Sequence, residues 1–270
     1  DDKLRGNKFA VKSVDEIRDA ITDALVYDPR VSMFDIYPDV AGSTVTLRGT
    51  VDNLQAKQAA ESIARNPTLA EPDLSVIGVG GGASDGELSR YGLGVGGSAP
   101  MFFGAGASAK GVRSLVYVVD RSSSMLDTFH FVRKELVRSI SSLRRSQRFH
   151  VIFFNSAEPI EAPAGRLVHA IKAHRDEFFD FLEDVTPSGG TRPELALQRA
   201  LALEPDLIYL LSDGIHFDPA LPAKLDEWNR DRATRVYTIA YLDEEGRKIL
   251  EQIAQEHGGE YKYVSDYDLP

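Results

Sequence analysis

A chain of 270 residues leaves room for one or two domains, and 43% hydrophobic with 27% charged residues is an ordinary soluble globular composition. The net charge of −10 argues against a broad nucleic-acid surface. The absence of cysteine rules out a disulfide framework and a thiolate metal site without settling the compartment. No stretch reaches the ~18 apolar residues of a membrane span. The chain begins at Asp1 with no signal-peptide pattern, which fits a mature exported protein after processing or a trimmed piece equally.

Residues 1–12 read as an N-terminal extension. From Ser13, a plausible helix cap, Val14, Ile17, Ala20, Ile21, Ala24 and Leu25 repeat at helical spacing. Val31 to Tyr37 is predicted as a strand, Gly42 as a turn, and Thr44 to Val51 as a second, alternating strand. Asn53 caps a helix carrying Leu54, Ala59, Ala60 and Ile63. Asn66-Pro67 ends that helix, and Leu74 to Val79 is predicted as a third strand. The order over residues 13–79 is αββαβ. The run Val45-Thr46-Leu47-Arg48-Gly49-Thr50-Val51, followed by Ala56, Ala59, Ala60 and Ala64, resembles a BON domain. The resemblance implies a small bacterial envelope or secreted module associated with membranes or self-association.

Twelve of the 22 glycines lie between Gly78 and Gly111. Residues 80–111 therefore read as a connector between two domains. Leu93, Val95, Met101, Phe102 and Phe103 make it less polar than a free linker, so it is expected to pack on a domain or on a neighbouring copy.

Residues 112–270 alternate strands with helices. Strand Ser114–Asp120 precedes a helix from Met125 to Leu143, with apolar positions close to a 3.6 period. Strand Phe149–Asn155 follows, then an edge crossing from Pro159 to Val168 and a helix from His169 to about Glu183. Pro193 opens a helix through Leu203. Strand Leu207–Leu211, helix Leu221–Arg230, strand Arg235–Tyr241, helix Glu244–His257 and strand Glu260–Val264 complete the unit. Such alternation predicts an α/β fold, Rossmann-like and doubly wound, with a mainly parallel sheet covered on both faces.

Asp120 ends the buried run Leu115–Val119, and Ser122 and Ser124 alternate in the loop after it. Asp213 stands at a second strand end, in Leu210-Leu211-Ser212-Asp213-Gly214. Thr191 follows Gly189-Gly190, where a loop can approach closely. In open α/β sheets ligands bind beyond the carboxyl ends of strands. Two carboxylates and three hydroxyls are what a hard divalent cation needs, and they leave its charge and shell unsaturated. This set resembles the von Willebrand factor type A domain with its metal-ion-dependent adhesion site. There, Asp-x-Ser-x-Ser, a distant Thr and a distant Asp bind one divalent ion. Asp120, Ser122, Ser124, Thr191 and Asp213 match in the family's order, and Ser123 departs from a frequent Gly.

The resemblance implies one divalent cation, Mg²⁺ first, with Mn²⁺ or Ca²⁺ as alternatives. Ser122 and Ser124 would bind it directly, Asp120 and Asp213 mostly through water, and Thr191 either way. It implies a partner protein presenting Asp or Glu, contacted around Ser123, Gly190 and Arg192, and an adhesion module rather than an enzyme. A self-assembling surface or filament subunit is the alternative, with homo-oligomeric contacts through the small domain and connector, or membrane association through the small domain. The non-methionine start and the BON-like unit favour an extracytoplasmic location. Gly92-x-Gly94-x-x-Gly97 does not join a strand to a helix, so it carries no dinucleotide argument. No aspartyl nucleophile with a supporting lysine is recognisable near Asp120. The basic stretch Arg133, Lys134, Arg138, Arg144, Arg145 and Arg148 reads as a solvated face, or as one that meets an acidic domain of another copy.

Overall fold

The structure is a computed structural model that describes residues 13–28, 30–42, 44–65, 99–106, 109, 111–162, 165–230, 234–243 and 245–268. The chain divides into two compact units, Asp1–Gly94 and Val95–Pro270.

In the first unit, helix α1 (Val14–Tyr27) starts on a capping box. Ser13 Oγ accepts from Glu16 N–H while the Glu16 carboxylate accepts from Ser13 N–H, which satisfies two of the donors a helix start leaves open. Strands β1 (Ile36–Ala41) and β2 (Thr44–Gly49) form an antiparallel pair. Helix α2 (Leu54–Arg65) is capped by Asn53, whose Oδ1 accepts from Ala56 N–H at 2.7 Å. Ile21, Leu25, Ile36, Ala56, Ala60 and Ile63 make its core. β1 begins at Ile36, not Val31. Asp28 accounts for this: its backbone carbonyl accepts from Val31 and Ser32 N–H, which closes a turn over what the apolar pattern offers as strand. The third strand expected at Leu74–Val79 lies outside the described residues, as do residues 80–98 of the connector and the N-terminal extension.

The second unit is built on β3 (Ser114–Asp120), β4 (Arg148–Phe154), β7 (Leu207–Ser212), β8 (Arg235–Tyr241) and β9 (Tyr261–Val264), all parallel. The short strands β5 (Ile160–Ala162) and β6 (Val168–His169) run antiparallel on the outer edge of β4. The order is β5-β4-β3-β7-β8-β9, with β6 also on β4. Every residue of β3 and β7 is buried, as expected of a sheet covered on both faces. Leu115, Tyr117 and Val119 point to one face, with α3 (Phe129–Ser141) and α4 (Lys172–Asp184). Val116 and Val118 point to the other, with α5 (Glu194–Ala202), α6 (Leu221–Trp228) and α7 (Arg247–Glu256).

Two features of this unit depart from the apolar pattern. The helix predicted from Met125 starts at Phe129, because Ser123–Met125 form a single 3₁₀ turn that carries the chain round the end of β3. The described part of the glycine-rich segment packs into the second unit. Phe102 is 0% exposed, with its ring 5.1 Å from that of Tyr117 and 5.7 Å from that of Tyr209. Tyr209 Oη donates to the Pro100 carbonyl at 2.7 Å. The described residues of this strap thus add Ala99, Phe102, Ala105, Ala109 and Val112 to the buried cluster on the α3 face of the sheet.

Candidate metal centre

From β3 the chain goes to β4 on one side and later reaches β7 on the other, so the loops leaving β3 and β7 diverge and open a crevice. Asp120 is the last residue of β3, and Asp213 directly follows β7. Asp120 is 0% exposed. Its Oδ1 accepts from Ser122 N–H at 2.8 Å and its Oδ2 from Ser212 Oγ at 2.6 Å. Ser212 Oγ in turn accepts from Gly214 N–H at 3.0 Å, locking the loop after β7 to the end of β3.

The hydroxyls of Ser122 and Ser124 lie 3.0 Å apart. Ser124 Oγ donates to Asp213 Oδ2 at 2.7 Å, and Asp213 Oδ1 accepts from Ile215 N–H at 3.0 Å. Four of the five expected side chains therefore form one hydrogen-bonded group, assembled from two loops about 90 residues apart in sequence. Ser123 sits in the 3₁₀ turn without a left-handed φ, so the departure from glycine carries no strain there.

No direct bond joins Thr191 to the other four among the described residues. Its loop is nevertheless fastened to theirs. Ser123 N–H donates to the Gly189 carbonyl at 2.9 Å, and Ser188 N–H to the Arg121 carbonyl at 2.8 Å. Two residues just past β4 hold the same loop from the other side: Asn155 Nδ2 donates to the Ser188 carbonyl at 2.7 Å, and Ser156 Oγ accepts from Gly190 N–H at 3.0 Å. Gly189 has φ +75°, and a Cβ there would lie 2.9 Å from Ser156 Oγ, so this approach requires glycine. Thr191 is half-buried, while Ser123, Gly190 and Arg192 are exposed around it. Asn155, Ser156 and Ser212 are supporting residues that the motif does not include. The signal for Asn155 and Ser156 was a polar pair closing the apolar run Phe149–Phe154, the same signature that marks Asp120 and Asp213.

The electrostatics of Asp120 are those of a carboxylate without a counter-charge. Burial pushes its pKa up to about 6. The donors on Ser212 and Ser122 pull against that rise, and the charge of Asp213 adds to it. No cationic side chain is among the groups acting on it. A cluster of three or more His, Cys, Asp or Glu side chains suited to a metal is absent among the described residues. The donor set here is two carboxylates and neutral hydroxyls, all oxygen, which suits a hard cation.

Comparison with known proteins places this architecture. The profile of the von Willebrand factor type A domain matches residues 114–270, more than half of the chain. The chain belongs to the von Willebrand factor type A domain family. The BON domain profile matches residues 13–69, over the first unit. Among solved structures, the von Willebrand factor type A protein from Catenulispora acidiphila aligns with a TM-score of 0.51 at 20% identity. The alignment covers 57% of this chain and 39% of that one. This chain thus spans about two fifths of that protein's length, and the likeness is one of fold. Proximal thread matrix protein 1 from the mussel byssus, in a structure described as having a zinc-occupied MIDAS motif, aligns at 18% identity. That match has a TM-score of 0.42 and covers 56% and 41% of the two chains. No curated protein gives a match. The type A unit carries these hydroxyls and carboxylates at the ends of β3 and β7. No helix among the described residues is long and apolar enough to cross a membrane.

Proposed function

We propose that the type A unit is a divalent-cation-dependent protein-binding module. In this reading Asp120, Ser122, Ser124, Thr191 and Asp213 hold one ion, and a partner's Asp or Glu carboxylate completes its shell. The observation that carries the reading is Asp120: a carboxylate removed from water, with only hydroxyl and amide donors around it and a second carboxylate, Asp213, reached through the hydroxyls of Ser122 and Ser124. A buried, unpaired carboxylate is costly, and a cation offsets that cost. Mg²⁺ fits best, because it keeps waters and works with few carboxylates, while Mn²⁺ and Ca²⁺ accept the same oxygens. When bound, the ion supplies positive charge that attracts an incoming acid. The chain's own part is to orient Asp120 and Asp213, and to present Ser123, Gly190 and Arg192 as the exposed rim.

Binding is favoured over catalysis because the two serine hydroxyls contact each other and Asp213, with no histidine base beside them among the described residues. The partner can be another protein or a second copy of this chain, and the BON unit is a candidate for self-association or membrane contact. An extracytoplasmic location suits both uses. Calorimetry with Mg²⁺ and Mn²⁺ on the wild type and on Asp120→Ala tests the reading: the wild type should bind one ion and the variant none. Equal titration curves for the two proteins would remove the site. Sedimentation with and without chelator then separates a self-partner from a foreign one.

A further inference from the structure

The loop between β8 and α7 holds none of the five proposed ligands, yet its Gly246 touches the site's backbone directly. Gly246, the residue that opens α7, lies against Gly214. A Cβ built on Gly246 would overlap the Cα and carbonyl carbon of Gly214, and would lie 2.6 Å from the carbonyl oxygen of Asp213. The contact is reciprocal. A Cβ on Gly214, whose φ is +70°, would lie 2.9 Å from the Cα of Gly246 and 3.0 Å from Cδ1 of Leu250. The atoms in the way at Gly246 are all backbone, so no rotamer change could relieve a side chain there.

Asp213 and Gly214 are in turn the residues through which the β7 loop is tied to the rest of the site. Gly214 N–H donates to Ser212 Oγ, which donates to Asp120, while Asp213 accepts from Ser124. The α7 side of the contact has little freedom to yield. Leu250 is fully buried, and its carbonyl accepts from Thr238 Oγ1 of β8 at 2.8 Å.

We infer that Gly246 is a positioning residue for the metal centre: the backbone contact between Gly246 and Gly214 sets where the Asp213 carboxylate stands, so the start of α7 is coupled to ion affinity. The inference rests on the proposed cation site. It adds to that reading a control point on a helix whose side chains take no part in the site.

The test is Mn²⁺ binding by calorimetry, together with the electron paramagnetic resonance line shape of the bound Mn²⁺, on four full-length proteins: wild type, Gly246→Ala, Leu250→Ala and Gly258→Ala. Gly246→Ala should lower Mn²⁺ affinity at least tenfold and change the line shape, because the clash displaces Gly214 and Asp213. Leu250→Ala slackens the seat of Gly214 instead of crowding it, and should weaken binding about threefold. It decides the matter if Gly246→Ala does not fold. Gly258→Ala strains the opposite end of the same helix, where φ is +62° and a Cβ would meet only Arg235 Cγ at 3.9 Å. It should lower the metal-free melting temperature and leave Mn²⁺ affinity and line shape unchanged. Wild-type affinity and line shape in a folded Gly246→Ala, or in Leu250→Ala where Gly246→Ala does not fold, would overturn the positioning role while leaving the cation site standing. A wild type that binds no Mn²⁺ would remove both. Loss of affinity in Gly258→Ala equal to that in Gly246→Ala would reduce the effect to helix stability and overturn the inference.

Discussion

Asp28 in the first unit and Asp120 in the second are both buried carboxylates, at 8% and 0% exposure, and they titrate in opposite directions. Burial pushes both upward. At Asp28 that push is outweighed by Arg30, whose Nη2 and Nε donate to the two carboxylate oxygens at 2.6 and 3.0 Å and whose N–H adds a third bond. Its pKa ends below the ordinary value. Asp120 has two donors of comparable length, at 2.8 and 2.6 Å, but they are neutral, and a second acid stands nearby. The main difference is therefore one of charge. A chain that can place an arginine beside one buried acid and leaves another without a cation has built two different things: a closed structural pair and, in the proposed reading, a position for a charge supplied from outside.

The largest effect that would break this comparison is on ion binding. Asp120→Ala should lower Mg²⁺ or Mn²⁺ affinity at least a hundredfold in calorimetry, whereas Asp28→Ala should leave it unchanged.

Next in size is the pH dependence. Asp120 is raised from 3.8 to about 6, so the folded protein holds this proton more tightly than the unfolded chain. In the metal-free protein its contribution is fully present below 3.8 and is lost as pH rises through 6. The whole loss is about 3 kcal/mol. Asp28 is lowered, so its contribution is present above the ordinary carboxylate range and lost as pH falls through its folded value. Denaturation in chelator should therefore show Asp120→Asn gaining on the wild type by about 2 kcal/mol between pH 4 and pH 7. Over the same window the stabilisation by added Mg²⁺ should grow. A flat difference across those pH values would mean that Asp120 ionises as an ordinary acid.

Thr191→Ala sharpens the contrast within the site. It should weaken ion affinity on the order of tenfold without moving the metal-free melting temperature, because no hydrogen bond joins Thr191 to the Asp120 group. The smallest effect is that of Arg30→Ala. Arg30 is 61% exposed, and solvent screens the pair, so its loss should cost about 1 kcal/mol and leave ion binding untouched.

Much of the second unit was legible in the sequence because its strands are buried on both faces. Leu115–Val119 and Leu207–Leu211 are unbroken apolar runs, and each ends in a polar residue that the fold uses. Asp120, Ser122, Ser124 and Asp213 stand out by type and position, and the structure brings them into one hydrogen-bonded group. Ser212 is different: its role is to bond an acid 92 residues away, and no local pattern records such a pairing. The same holds for Gly246, which looks like an ordinary turn glycine until its contact with Gly214 is seen. In the first unit, Val31 and Phe34 are apolar enough for a strand, but backbone bonds to Asp28 turn the chain there, so the tertiary setting overrode propensity. Phe102 and Phe103 are unusual residues for a connector. Which surface they served depended on Tyr117 and Tyr209, supplied from strands later in the chain.

The strap bears on where this protein can be cut. The matched family region opens at Ser114, the first residue of β3. A fragment trimmed to that point would lose Phe102, Ala105, Ala109 and Val112 from its interior and leave the rings of Tyr117 and Tyr209 facing water. Removing one buried phenylalanine alone typically costs about 3–5 kcal/mol, a large share of what holds a domain together. An excised version meant for crystals or binding assays should begin upstream of Ala99, and one begun at Ser114 should be found in the pellet.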